Sequence, residues 1–268
     1  MYSHFDVAIE HAKQRLLSEG KVITASNWQG MDISHKPEMA FHELLNHSFT
    51  CNISPDIDGL KRQIKPNLPW ADAHFLERVG RVPLNPGEQY KNWPFYRVGS
   101  DRDVAFRAQG GKFTHSYMER FWPRWAPEES GDMFGLKMGI RYPYGDLDDV
   151  VDLLNRDPYT RQAYLSIWFP EDTGANHKGR VPCTMGYHFM MREMQLHMFY
   201  PIRACDYLRH FRDDIYLASR LLLWVLSELK QRDKDWLEVR PGNLTMQIWS
   251  FHCFVGDIPI IKYREGDV

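Results

Sequence analysis

The residues best suited to chemistry lie between Arg161 and Leu229. Cys183 follows Pro182 in a stretch between two apolar runs, residues 163–169 and 187–191. A loop held between rigid strands is a common seat for a nucleophile, and the thiolate is the form of cysteine that attacks. Further along, Arg203 opens the segment Arg203-Ala204-Cys205-Asp206. A guanidinium near a thiol favours the thiolate, and its planar fork of donors suits a phosphate. Asp213 and Asp214 then stand at the start of a long apolar run, where a carboxylate either caps a helix or reads a ligand. Taken alone, each residue has an ordinary alternative. An isolated cysteine packs as a small hydrophobe, and Cys183 paired with His188 or His252 would describe a hydrolase.

These groups need elements to hold them. Phe5, Ala8, Ile9, Ala12 and Leu16 predict an amphipathic helix over residues 5–17, stopped by Gly20. Residues 44–53 read as a strand, and 69–79 as a short helix broken by the Pro-rich turn 82–87. The charged, Gly-containing stretch 101–111 reads as a surface loop. Leu147, Val150, Val151 and Leu154 predict a helix over 146–154. The run 163–169 reads as a buried strand, and 187–191 with 195–200 as an antiparallel pair turning at Arg192-Glu193. Residues 215–229 predict a helix buried on most of its surface. Residues 244–255 and 258–263 are expected to close the chain as strands. No repeat or linker interrupts the pattern, so the expectation is one α+β domain over residues 1–268.

Composition narrows the function. The 268 residues are 43% hydrophobic and 25% charged, enough for an ordinary folded core. A formal net charge of -2 lacks the broad positive field that a nucleic acid polymer or an anionic membrane requires. The first ten residues are polar and mixed in charge, and no apolar run approaches the ~18 residues of a membrane span. A soluble cytoplasmic protein is expected. The 4 cysteines are far apart with no Cys-x-x-Cys pair, and the 12 histidines show no ligand spacing, so no metal site is expected. The aromatic share of 14%, with 9 tryptophans, is accounted for first by core packing, with a site for a flat ligand as the alternative.

The order of the chemical segments resembles the thymidylate synthase family. In that family a strand of the form Arg-x-x-x-x-Ser-x-Trp precedes a Pro-Cys loop, a strand pair, Arg-Ser-x-Asp, and an Asn-Ile that opens a long helix. Here the order stands as Arg161 to Ser166 and Trp168, Pro182-Cys183, Arg203-Ala204-Cys205-Asp206, and Asp214-Ile215. Phe121-Trp122-Pro123-Arg124-Trp125-Ala126 is similar to the family's two-tryptophan segment, and His252 matches the His of its Thr-His-x-Tyr. The resemblance implies a mixed sheet packed with helices, dimerising through the sheet. It also implies that Cys183 adds to C6 of a pyrimidine nucleotide, splitting one hard substitution into two easier steps. Arg203 would hold the phosphate, Arg161 would reach the partner's phosphate across the dimer, and His252 would bond the sugar. Asp206, Trp122 and Trp125 would contact 5,10-methylene-tetrahydrofolate. For the family's catalytic glutamate there are two candidates: Glu77 fits the order of elements, and Glu43 fits the local wording His42-Glu43-Leu44-Leu45. Glu77 is preferred.

The departures bear on the substrate. Asp214 stands where the family has an Asn that reads the uracil edge. Cytosine presents an amino donor at N4 and an acceptor at N3, which a carboxylate sharing a proton can satisfy. The resemblance is therefore closest to the cytidylate 5-hydroxymethylases, with CMP or dCMP as substrate. Asp213 is then the candidate helix cap. Ala204 replaces the family's Ser, Gln162 its second interface Arg, and Phe254 its sugar-binding Tyr. Ribose against deoxyribose stays open, as does methylation of dCMP, dUMP or UMP in place of hydroxymethylation. A catalytically silent nucleotide-binding member is the third possibility.

Overall fold

A computed structural model describes residues 1–28, 31–95, 113, 115–125, 145–173 and 181–263. The expected loop at 101–111 lies outside them. Strands β1 (Lys21–Ile23), β4 (Phe41–Asn52), β5 (Tyr164–Ser166), β6 (Gly186–Arg192), β7 (Gln195–Asp206) and β8 (Arg240–Phe254) form a sheet in the order β1-β4-β8-β7-β6-β5. Every pairing is antiparallel except β7 with β8, so the sheet is mixed as expected. The small pair β2 (Asn27–Trp28) and β3 (Met31–Asp32) stands apart. The β6–β7 hairpin turns through Glu193 and Met194, both at positive φ, which matches the right-handed twist of the strands it joins.

Helices α1 (Phe5–Glu19), α2 (Ile57–Ile64), α3 (Trp70–Val79), α4 (Tyr117–Phe121), α5 (Leu147–Arg156), α6 (Phe211–Arg232) and α7 (Ile258–Tyr263) complete the α+β fold. Asp146 and Asp149 make a capping box that starts α5 where its apolar stripe begins. The buried helix is longer than its apolar middle: α6 starts at Phe211 and buries Ile215, Ala218, Leu222, Val225 and Leu229. None of the described helices is long and apolar enough to cross a membrane. The second face of the sheet is left partly open, with Tyr164, Phe199 and Trp249 more than a third exposed.

Two sequence expectations are corrected. Residues 258–263 form helix α7 and not a strand, because Pro259 cannot donate to a ladder and Ile258 and Ile261 pack inward at helical spacing. The strand expected over 163–169 pairs only over Tyr164–Ser166, its next amides turning to Met185 O in a bend that leads to the cysteine loop.

One irregularity shapes the site. Alternation along a strand should bury every second residue. In β7 the buried positions step from Ile202 to Cys205, in β8 from Ile248 to Phe251, and in β4 from Leu44 to His47, each skipping an extra residue at neighbouring levels of the sheet. Asn46, at φ 55, supplies the backbone reversal in β4. Beyond this step Glu43, His252 and Asp206 stand side by side on three adjacent strands.

Candidate active site

That end of the sheet, the start of α6, one face of α3 and the segment 115–118 enclose a cavity of about 410 Å³. Its walls include Cys183, Arg203, Ala204, Asp206, Asp214 and His252. Six of the residues read from sequence therefore share one cavity, although they come from two strands, a loop and a helix.

The cysteine loop is fixed by its neighbours. Arg203 N–H donates to Cys183 O at 2.8 Å, while the Arg203 side chain donates from Nε to Pro182 O at 2.8 Å and from Nη2 to Val181 O at 3.2 Å. Thr184, next to Cys183, places its hydroxyl 3.2 Å from Tyr117 Oη and 2.9 Å from Tyr200 Oη. Burial pushes the Tyr117 hydroxyl up, and nearby Cys183 and Asp214 add to that while Arg78 opposes it. Tyr117 stays protonated and able to donate at neutral pH.

At the head of α6 the two aspartates divide. Asp213 is not the helix cap: His210 holds that position, and Asp213 is buried, accepting from Asn67 N at 2.8 Å and Asn67 Nδ2 at 2.8 Å. From the first turn of α6 it ties the helix to the loop before α3. Asp214 faces the cavity, with Cys205 Sγ 3.6 Å from its Oδ2. Burial pushes the Cys205 thiol well above its ordinary range, reinforced by Asp214 and Asp206, so it remains protonated and donates to Asp214.

Asp206 is heavily engaged. Its Oδ1 accepts from Leu208 N and Arg209 N, both at 2.9 Å, and its Oδ2 from Arg209 Nη1 at 2.9 Å. His252 packs edge-on to Phe41 at 5.4 Å and lies near Ser250. Phe254 is buried between Trp28, 5.1 Å away, and Arg209, 4.9 Å away, so the aromatic surface facing the cavity there belongs to Trp28 and Phe41. Arg161 is exposed on the β5 edge, away from the cavity, with its carbonyl 3.1 Å from His188 Nε2.

Trp122 is a correction. It is fully buried, its Nε1 donates to Arg78 O at 2.7 Å, and it packs edge-on to Trp224, so no face of it reaches a cofactor. The Ser116–Glu119 capping box turns α4 so that Tyr117 and Met118 face the cavity instead. Trp125 ends the turn Pro123–Trp125, and its side chain lies outside the described part.

Of the two glutamates, Glu43 lines the cavity and Glu77 stands behind its wall. Glu77 Oε1 accepts from Gln89 N at 3.0 Å, and Oε2 lies 3.4 Å from His74 Nδ1. Burial alone would raise its carboxyl, but the bonds from His74 and the Gln89 and Glu88 amides outweigh it and hold the group below its ordinary range. On the other side of the ring, Arg78 Nε donates to His74 Nε2 at 3.0 Å. Arginine can only donate, so Nε2 is the bare nitrogen and Nδ1–H points to Glu77. Glu77 thus orients His74, and His74 orients Arg78, whose guanidinium lies 4.2 Å over the Tyr117 ring. Arg78 is buried yet forms part of the cavity wall. Sequence reading named Glu77 but not His74 and Arg78, whose i, i+4 spacing on α3 puts them on one face of the helix.

No protein-family model matches the chain. A curated protein of Methanosarcina barkeri described as "Putative thymidylate synthase" is 27% identical over 117 residues, 43% of this chain; the match spans 49% of that relative. Among solved structures, a thermostable thymidylate synthase A from Bacillus subtilis superposes with a TM-score of 0.64 at 12% identity, covering 98% of this chain and 83% of that one. The fold is the thymidylate synthase fold. The fold likeness covers nearly the whole chain, the sequence likeness less than half of it.

Proposed function

We propose that the protein transfers a one-carbon unit from 5,10-methylene-tetrahydrofolate to C5 of a cytidine monophosphate, CMP or dCMP, leaving a hydroxymethyl group. The observation that carries this reading is the presence of Cys183 and Asp214 in the wall of one cavity, which Asp213, bonded to Asn67, also lines. The walls suit a flat cosubstrate: Trp70, Tyr90, Trp93 and Phe113 present ring surface, with Trp93 stacked at 4.7 Å on His210. Those four residues would hold the folate, which supplies the one-carbon unit.

The chain's own groups do the rest. The Cys183 thiolate forms a bond to C6, and C5 becomes nucleophilic. After C5 has bonded to the one-carbon unit and given up its proton to solvent, the folate amine leaves as tetrahydrofolate, water adds its oxygen to the exocyclic methylene carbon, and the sulfur–C6 bond breaks and releases the thiolate. Arg203 holds the phosphate with the part of its guanidinium not spent on the Val181–Pro182 carbonyls. Asp214 accepts from the N4 amino group and shares a proton with N3. Arg78, aimed by His74 and Glu77, donates to the ring or pterin oxygen where negative charge gathers. Glu77 is on this reading a positioning residue. Replacing Arg78 by Ala should lower kcat/KM about 100-fold. Glu77→Gln, which leaves the cavity wall intact, should lower it about 10-fold through kcat with little change in KM.

The open sheet face, with Tyr164, Phe199 and Trp249 exposed, supports a homodimer in which Arg161 reaches the neighbouring phosphate site. The deciding experiment incubates CMP, dCMP, UMP or dUMP tritiated at C5 with the folate and follows tritium release and product mass. Release from cytosine nucleotides with a hydroxymethyl product is expected. Release from uracil nucleotides alone would remove the cytosine assignment, and a methyl product with dihydrofolate would make the protein a methylase.

A further inference from the structure

Glu43 is left without a task by the mechanism above, yet it stands in the cavity. Its place is set by register: Glu43 pairs directly with His252 across β4 and β8, and His252 with Asp206 across β8 and β7, so the three form one row. The row's outer carboxylate, Asp206, already accepts three donors from Leu208 and Arg209. Glu43 accepts one, from the Ser250 hydroxyl to Oε1. Its Oε2 has no partner among the described residues. Ser250 Oγ in turn lies 3.5 Å from His252 Nδ1, so hydroxyl, imidazole and carboxylate converge on one spot.

From this we infer that Glu43 reads the ribose cis-diol and makes the protein selective for ribonucleotides. The inference rests on the proposed reading, which puts the sugar beside His252. A carboxylate only accepts, and a vicinal diol offers two O–H donors at the separation of its two oxygens. A deoxyribose offers one and leaves a desolvated acceptor unsatisfied, which is how sites built to bond a hydroxyl reject its absence. Phe254 agrees with this arrangement: its ring is packed under Trp28 and Arg209, so no phenol competes for the diol.

The test is calorimetric titration of the intact protein with CMP, dCMP, UMP and dUMP, without folate. CMP should bind about 10- to 100-fold more tightly than dCMP, the worth of one hydrogen bond to a charged acceptor. Glu43→Ala should bring the two within about threefold by weakening CMP. Ser250→Ala keeps the carboxylate and should keep most of the preference. If Glu43→Ala does not fold, Glu43→Gln, with a donor in place of one acceptor, should lower the CMP preference. Equal affinity of the wild-type protein for CMP and dCMP overturns the inference, as does a preference that survives in the Glu43 variants. A ribose preference in both base series, together with equal affinity for CMP and UMP, would uphold the inference while removing the cytosine assignment. Failure to bind any of the four removes both.

Discussion

Replacing Cys183 by Ala is expected to abolish C5 tritium release, a loss of about 10⁴-fold or more, while nucleotide affinity changes only a few-fold. The asymmetry follows from what the residue does. On the proposed reading its sulfur forms and breaks the bond to C6, so without it the ring carbon at C5 never becomes a nucleophile. The contacts proposed to bind the nucleotide are on other cavity residues, Arg203, Asp214 and His252. Folding should tolerate the change, since Cys183 is only partly buried and its loop is fixed through backbone carbonyls by Arg203 and through Thr184 by Tyr117 and Tyr200. Single-turnover tritium release with titration calorimetry on the same preparation checks both halves. Undiminished release would assign the chemistry to another residue, and a biological role that persists in the variant would favour the silent-binder reading.

Much of this site was legible in the sequence because its residues sit in short segments with strong local signals. Pro182-Cys183 between two apolar runs, Arg203 to Asp206 before a long helix, and Asp214 at that helix's head all fell into one cavity. Strand and helix periodicity placed α1, α5, β4, β6 and β8 for the same reason. Misreadings came where tertiary packing overrode local wording. Residues 258–263 are apolar enough for a strand, but Pro259 and the end of the ladder at Phe254 leave only a helix. Trp122 and Trp125 share one motif, yet the cap at Ser116 rolls Trp122 into the core. The extra-residue step shared by β4, β7 and β8 has no sequence signature in any one strand. It arises because three adjacent strands bend together, and it brings Glu43 beside His252. Glu77 and Arg78 show the same limit, since a chain of bonds through His74 cannot be read from spacing alone.

Replacing Asp214 by Asn is expected to reverse the base preference, shifting the ratio of kcat/KM for CMP over UMP by about 10²- to 10⁴-fold toward uracil. Two polar contacts change sign at once. On the cytosine reading, with Asp the N4 amino group of cytosine would meet an acceptor and N3 a shared proton; with uracil, O4 would face a carboxylate oxygen with no donor between them. An amide offers one donor and one acceptor, which suits O4 and N3–H, and each reversed contact is worth about 1–3 kcal/mol. The orientation of the new amide is decided by Cys205. Its thiol, kept protonated by burial and by the neighbouring carboxylates, lies 3.6 Å from Asp214 Oδ2 and donates to the acceptor end of whatever stands there. That leaves the amide nitrogen turned to the ligand. Asp214→Asn combined with Cys205→Ala should therefore recover less uracil activity than Asp214→Asn alone, because the amide is then free to flip. Initial rates of tritium release from CMP and UMP measure all three proteins on one scale. A ratio that is the same for wild type and Asp214→Asn would show that Asp214 does not touch the base edge, and the cytosine assignment would lose its principal support.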